Sequence, residues 1–201
     1  MSFFLGIDLG TSSVKLLLIG ADQAIIGSSS APLDVQRPHP GWSEQDPASW
    51  LTATEAAMAE LKSRHSSQMS AVTGIGLSGH MHGATLLNAS GGVLRPCMLW
   101  NDTRSFSEAA ELDAQPIFRH LTGNIVFPGF TAPKVLWVAR HEPAVFADTA
   151  KVLLPKDYLR LWLTGEYVSE MSDAAGTSWL DVGKRDWDVA LLSATGLSLS
   201  H

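Results

Sequence analysis

The sequence predicts an α/β protein whose mixed sheet opens with an antiparallel three-strand meander and is flanked by helices. Three observations carry this. Residues 3–9 and 14–19 are short, nearly continuous apolar runs, the pattern of strands buried on both faces, and only four residues separate them. A turn-forming tetrapeptide, Gly20-Ala21-Asp22-Gln23, then leads into a weaker run at 24–29. From Thr103 onward the pattern becomes mostly helical. Connections this short join antiparallel neighbours, whereas the dinucleotide-binding fold needs a helix after its first strand. The glycines agree, since neither G-x-G-x-x-G nor G-x-x-x-x-G-K-[ST] occurs anywhere in the chain.

Residues 31–45 form a connection too long for a simple turn and contain Pro and Gly, a length that is often functional. Asp46-Pro47 then starts a helix, with Asp as the N-cap and Pro at the first helical position. Trp50, Thr54, Ala57, Met58 and Leu61 share one face of it, so this helix packs down on the sheet. Residues 72–77, 84–87 and 97–100 read as further short strands. Helices are expected at 105–121, 132–140 and 156–163, and Gly123 and Gly165 sit at C-cap positions.

Composition bounds the function. With 201 residues the chain can bury a full core, and one domain is the natural expectation. Hydrophobic residues at 45% and charged residues at 17% place it among ordinary globular proteins rather than disordered ones. A net charge of −6 with no basic cluster excludes a nucleic-acid binder. A lone cysteine, Cys97, admits no internal disulfide and fits a reducing cytosol. No signal peptide and no apolar run of membrane-spanning length is visible, so a cytoplasmic protein without membrane partners is expected.

Four constellations could carry chemistry. Asp8 ends an apolar strand, where a buried carboxylate is costly unless bonded, paired or near a metal. The residues after it, Gly10, Thr11, Ser12 and Ser13, make a tight turn whose amide and hydroxyl groups suit phosphate oxygens. An Asx-turn tying down its own hairpin accounts for Asp8 equally well, and Lys15 beside the turn reads as a solvated lysine. Gly79-His80-Met81-His82-Gly83 follows a strand. In extended backbone its two histidines would share a face, yet two ligands are too few for zinc; His82 better suits a hydroxylated ligand, while spacing alone favours a plain pair of hydrogen-bonded loop histidines. Trp100 could cover the apolar face of a sugar beside Asn101, Asp102 and Arg104, although Asp102 reads more simply as a helix N-cap. Residues 172–177 (Ser-Asp-Ala-Ala-Gly-Thr) look like a small-residue turn that admits a ligand to the backbone.

In combination these segments resemble the FGGY carbohydrate kinases, and among them most closely the members that act on D-xylulose. The likeness runs nearly end to end: GIDLGTSSVK at 6–15, RPHPGWSEQDPASW at 37–50, GHMHGATLL at 79–87, RPCMLWNDTR at 95–104, LTGN at 121–124, PGFTAPKVLWVARHEP at 128–143, LLPKDYLRLWLTGE at 153–166 and MSDAAGTSWLDV at 171–182. Lys134 and Trp137 match the lysine-x-x-tryptophan core of the family signature, while His80 stands where glutamine is usual. The resemblance implies an actin-like, ribonuclease-H-like domain over residues 1–201, a second domain of the same type after it, and reaction in the cleft between them. It implies ATP and Mg2+, with the Gly10–Ser13 turn facing the phosphates and Asp8 holding the metal through water. Met81, His82 and Trp100 would contact the sugar, and the general base and the adenine site would lie beyond His201. These residues alone are expected to be inactive. Apolar surface left uncovered without that second domain is a candidate homodimer contact. The alternatives are a kinase of another ketose or polyol, such as ribulose or glycerol, and a sugar-binding module without catalysis.

Overall fold

The apolar run at the N-terminus becomes β1 (Phe3–Leu9), followed by β2 (Ser13–Gly20) and β3 (Ile25–Pro32), in a computed structural model that describes residues 2–201. The three form the expected meander, with Leu9 opposite Val14 and Ile19 opposite Ile25. After β4 (Glu44–Gln45), α1 (Pro47–Arg64) and the short α2 (Ser66–Ser70), the chain returns as β5 (Val72–Gly79), parallel to β1. The sheet order is β3-β2-β1-β5, mixed as predicted. A parallel return needs a crossover, and α1 provides it. Asp46 caps α1 by accepting from the Ala48 amide, with Pro47 next in line.

Strand period and helix period meet in the first core. Leu5, Ile7, Leu9, Val14, Leu16 and Leu18 pack against Trp50, Ala53, Ala57 and Leu61 of α1. The opposite face is open: Phe4 is 41% and Leu17 40% exposed, so the expectation of strands buried on both faces is wrong. Both helices against the sheet, α1 and the later helix Pro155–Thr164, join the same core on the other face, and nothing among the described residues covers this one.

Short strands β6 (Thr85–Leu87) and β7 (Cys97–Met98) follow, and β7 pairs with β4. The helix expected at 105–121 is two helices, α3 (Phe106–Asp113) and α4 (Pro116–Thr122). Pro116 breaks it, because a proline ring clashes with the carbonyl four residues back but is tolerated in a first turn. Next come α5 (Thr131–His141), α6 (Pro143–Asp148), β8 (Lys151–Leu153, paired with β6) and α7 (Pro155–Thr164). Gly123 and Gly165 end α4 and α7 in left-handed conformation, as expected of C-caps. The chain finishes with α8 (Met171–Ala175), the hairpin β9 (Leu180–Asp181) and β10 (Asp186–Trp187), and α9 (Val189–Ser193). A second core joins Ala109, Leu112, Phe118, Val135, Val138, Trp179 and Leu191. No helix among the described residues is long and apolar enough to cross a membrane.

Candidate active site

The hairpin turn after β1 is short because only four residues separate Leu9 from Val14, and the Gly10 amide closes it on the Ser13 carbonyl at 3.0 Å. Distant residues brace it. Gln45 Nε2 donates to the Thr11 carbonyl at 2.7 Å, the Leu33 amide donates to Ser12 at 2.9 Å, and Trp100 Nε1 donates to Thr11 Oγ1 at 3.1 Å. Thr11 Oγ1 thus acts as acceptor and keeps its own O–H free to donate. Gln45 is fixed in turn, since its Oε1 accepts from the indole of fully buried Trp50. The long 31–45 connection therefore supports the turn.

Asp8 is not a buried carboxylate, as its place at the end of an apolar run suggested. It lies exposed on the open sheet face, between Lys15 on β2 and Ser78 on β5 in register. Its carboxylate makes no hydrogen bond or ion pair among the described residues, so the Asx-turn reading also falls away.

The two histidines after β5 do not share a face. His80 turns inward, 8% exposed, with its ring edge-on to Trp50 at 5.4 Å and both ring nitrogens without partners. Burial first, then the charge of Lys134, push its pKa down to about 4. His82 instead has φ 66°, a left-handed backbone that throws its side chain toward the far wall. Its Nδ1 lies 2.9 Å from the Gly176 carbonyl and its ring 4.6 Å from that of Phe130. A carbonyl only accepts, so Nδ1 carries the proton and Nε2 is left as an acceptor. With its donor already used on Gly176, His82 offers a hydroxylated ligand an acceptor only. Burial and then Lys134 lower its pKa to about 4 against the opposing pull of Gly176, so the ring is neutral at pH 7. No group of three or more His, Cys, Asp or Glu able to hold a metal ion occurs among the described residues.

Asp102 is not a helix N-cap; Ser105 holds that position on α3. Asp102 is fully buried, accepting from the Ser43 amide at 2.7 Å and pairing with Arg104 at 2.6 Å. Arg104 also reaches Glu44 at 2.7 Å and lies 3.5 Å over the Trp42 ring, while Arg95 joins Glu44 to Glu142. Trp100 next to this network is 48% exposed, available to a ligand but tied to the turn by its indole N–H.

Met81 and His82 share a cleft of about 430 Å3 with Leu77, Ser78, Lys156, Asp173 and Gly176. Asp8 lines the adjoining groove, which meets this cleft at Leu77 and Ser78. The fold thus gathers Asp8, the Gly10–Ser13 turn, Trp100 and the Met81-His82 pair around the ends of β1 and β5. Residues 172–177 are mostly helical, capped by Glu170, and meet the site through Gly176, where a Cβ would lie 2.3 Å from the His82 ring. Sequence reasoning missed Lys156, whose ammonium pairs with Asp157 at 2.5 Å and Asp173 at 3.4 Å. It also missed that Lys134 lies beneath His82; its place in the signature was the available signal.

Residues 3–201 match the model of the N-terminal domain of the FGGY family of carbohydrate kinases. The chain is 55% identical over 196 residues to a xylulose kinase of Escherichia coli K12, covering 97% of this chain and 40% of that protein. It is 41% identical to a xylulose kinase of Bacillus subtilis, again spanning 40% of the relative. A crystal structure described as a xyloylose kinase from Brucella ovis superposes with TM-score 0.98 at 65% identity, over 98% of this chain and 42% of that one. A xylulose kinase from Rhodospirillum rubrum follows at TM-score 0.94, 33% identity, and 98% and 41% coverage. With a family model matched from Phe3 to His201 and the motif residues gathered at one end of the sheet, the chain belongs to the FGGY family of carbohydrate kinases.

Proposed function

We propose that residues 1–201 are the sugar-binding N-terminal domain of a kinase that transfers phosphate from ATP to D-xylulose, giving D-xylulose 5-phosphate and ADP. In this reading a second domain supplies the adenine site and the general base. The observation that carries it is the neutral His82 ring, held with Nε2 as acceptor beside Met81, in a cleft adjoining the turn after β1. That acceptor receives a hydrogen bond donated by a sugar hydroxyl, and exposed Trp100 covers an apolar face of the sugar. Relatives named as xylulose kinases support the choice of D-xylulose over other ketoses and polyols.

The exposed, unpaired Asp8 carboxylate beside a hydroxyl-rich turn fits magnesium, which binds through one or two carboxylates, several waters and substrate phosphates. When bound, the metal neutralises charge on the β- and γ-phosphates. Asp8 would hold it through water, Gly10 would let the phosphates come close to the backbone, and Thr11, Ser12 and Ser13 would orient them with amide and hydroxyl donors. ATP-dependent chemistry and the buried, unpaired Cys97 fit a cytoplasmic setting.

A coupled ADP-release assay with D-xylulose, D-ribulose and glycerol tests this. The 201-residue chain alone is expected to show background turnover, and the kinase with both domains is expected to prefer D-xylulose. Whole-enzyme turnover by the chain alone would sink the two-domain reading, and preference for glycerol or D-ribulose would sink the substrate assignment. In the two-domain kinase, His82→Ala is expected to raise the KM for D-xylulose by about 10- to 100-fold, the worth of one lost hydrogen bond of ~1–3 kcal/mol, with the KM for ATP nearly unchanged. His80→Ala is expected to leave both KM values nearly unchanged, because its ring faces Trp50. Equal, large KM effects at both histidines would contradict the geometry.

A further inference from the structure

Lys134 is the most anomalous side chain in the molecule: a lysine fully out of contact with solvent, in the first half of α5, with no carboxylate partner among the described residues. Burial pushes its pKa down to about 7. Such burial is costly, and a Met or Leu would fill the same volume without it. What Lys134 does instead is join two carbonyls. Its Nζ donates to His82 O at 2.8 Å and to Gly129 O at 2.6 Å. An ammonium has three N–H groups and a neutral amine two, so both bonds survive either protonation state.

One carbonyl belongs to the Met81-His82 turn and the other to the segment packed behind Trp100. His82 adopts a left-handed φ of 66°, which costs a non-glycine residue about 1 kcal/mol or more and persists only where its surroundings enforce it. Lys134 and, at 3.3 Å, the Thr131 hydroxyl grip its carbonyl, while the Gly176 carbonyl and the Phe130 ring hold its imidazole. Thr131 and Lys134 stand three residues apart and so share one face of α5. The Gly176 segment hangs from the same helix start, since the Ala132 amide donates to Thr177 O at 3.0 Å. On the other side, Gly129 lies directly against Trp100: a Cβ there would meet the Trp100 carbonyl at 2.3 Å.

We propose that Lys134 is a positioning residue of the sugar site, a buried clamp that fixes the Met81-His82 turn and the Gly129 segment backing Trp100 to one anchor on α5. This rests on the reading of the cleft as a sugar site, but the clamp itself can be examined without a sugar. In the 201-residue chain, histidine-ring NMR is expected to show His82 as a single neutral form protonated at Nδ1. Lys134→Met is expected to replace that signal by an average of tautomers, while the rings of His39 and His65 stay unmoved. In the two-domain kinase, Lys134→Met is expected to raise the KM for D-xylulose about tenfold with the KM for ATP within about twofold. In a His82→Ala background the same change is expected to add a clearly smaller factor, because the part of its effect that passes through His82 is gone and only the part carried by the Gly129 segment behind Trp100 is left.

Should Lys134→Met fail to fold, Lys134→Gln keeps a polar donor and is read by the same signals, with a smaller change in the same direction. Unmoved His82 signals in a folded variant, or an equal KM effect with and without His82, would overturn the clamp. So would a drop in Tm with no change in the His82 ring. If the ring signals change as expected but the wild-type kinase does not use D-xylulose, the substrate assignment fails and the clamp stands.

Discussion

Asp8→Asn in the two-domain kinase is expected to lower kcat for D-xylulose by about 10²–10³-fold while the KM for D-xylulose moves less than about threefold, the pattern of an interaction made to the transferring phosphate and its metal rather than to the ground-state sugar. The substitution is isosteric, and the carboxylate it removes is exposed and makes no hydrogen bond among the described residues, so little stability is at stake. That separates the two roles an Asp at a strand end can have. Steady-state kinetics with varied D-xylulose and varied magnesium, alongside a thermal melt, would measure both. A rise in the magnesium requirement together with lost turnover is the expected signature. Unchanged kcat in a normally folded variant would remove Asp8 from the phosphate site, and a large loss of Tm would mean that it serves the hairpin.

The parts of this fold legible in the sequence are those whose stability is local and periodic. β1, β2 and the turn between them show as apolar runs too close together for anything but a hairpin, and α1 shows because Asp46-Pro47 caps it and Trp50, Thr54, Ala57 and Leu61 recur at helical spacing. The helix break at Pro116 was also legible, and only a propensity reading that passed over the proline missed it. The later strands β8, β9 and β10 were not, because two or three residues carry no period and are held by partners far along the chain: β8 exists through its pairing with β6, 68 residues earlier between Leu153 and Thr85. The site divides the same way. Residue types in GIDLGTSS and GHMHG pointed to ligand binding, but not to which groups remain free. That Nδ1 of His82 is taken by Gly176, 94 residues away, and that Asp102 binds Ser43 and Arg104 instead of capping a helix, are tertiary facts. Lys134 stands out in sequence only through its place in the lysine-x-x-tryptophan signature; that it is buried and bonded to the carbonyls of His82 and Gly129 is again a tertiary fact.

Arg104→Met is expected to destabilise the chain by about 3–5 kcal/mol, the usual cost of removing one member of a buried ion pair and leaving the other without its countercharge. Methionine keeps much of the volume against Trp42, so the loss reports charge and hydrogen bonding more than cavity formation. The orphaned group is Asp102, fully buried, which would retain only its bonds from the amides of Ser43 and Arg104. Glu44 suffers less because Arg95 still reaches it. Neutralising the orphan should therefore recover part of the loss: Arg104→Met with Asp102→Asn is expected to be more stable than Arg104→Met alone by roughly 1 kcal/mol or more. Urea unfolding with unchanged m-values would measure the cycle. The effect should also reach the phosphate turn, since the Asp102–Ser43 bond pins the loop that ends in Gln45, and Gln45 braces Thr11. Amide exchange at residues 10–13 is thus expected to quicken in Arg104→Met before global unfolding does. A single variant within about 1 kcal/mol of wild type, or a double variant no better than the single one, would show that the charges around Arg104 are solvated or independent rather than one buried network.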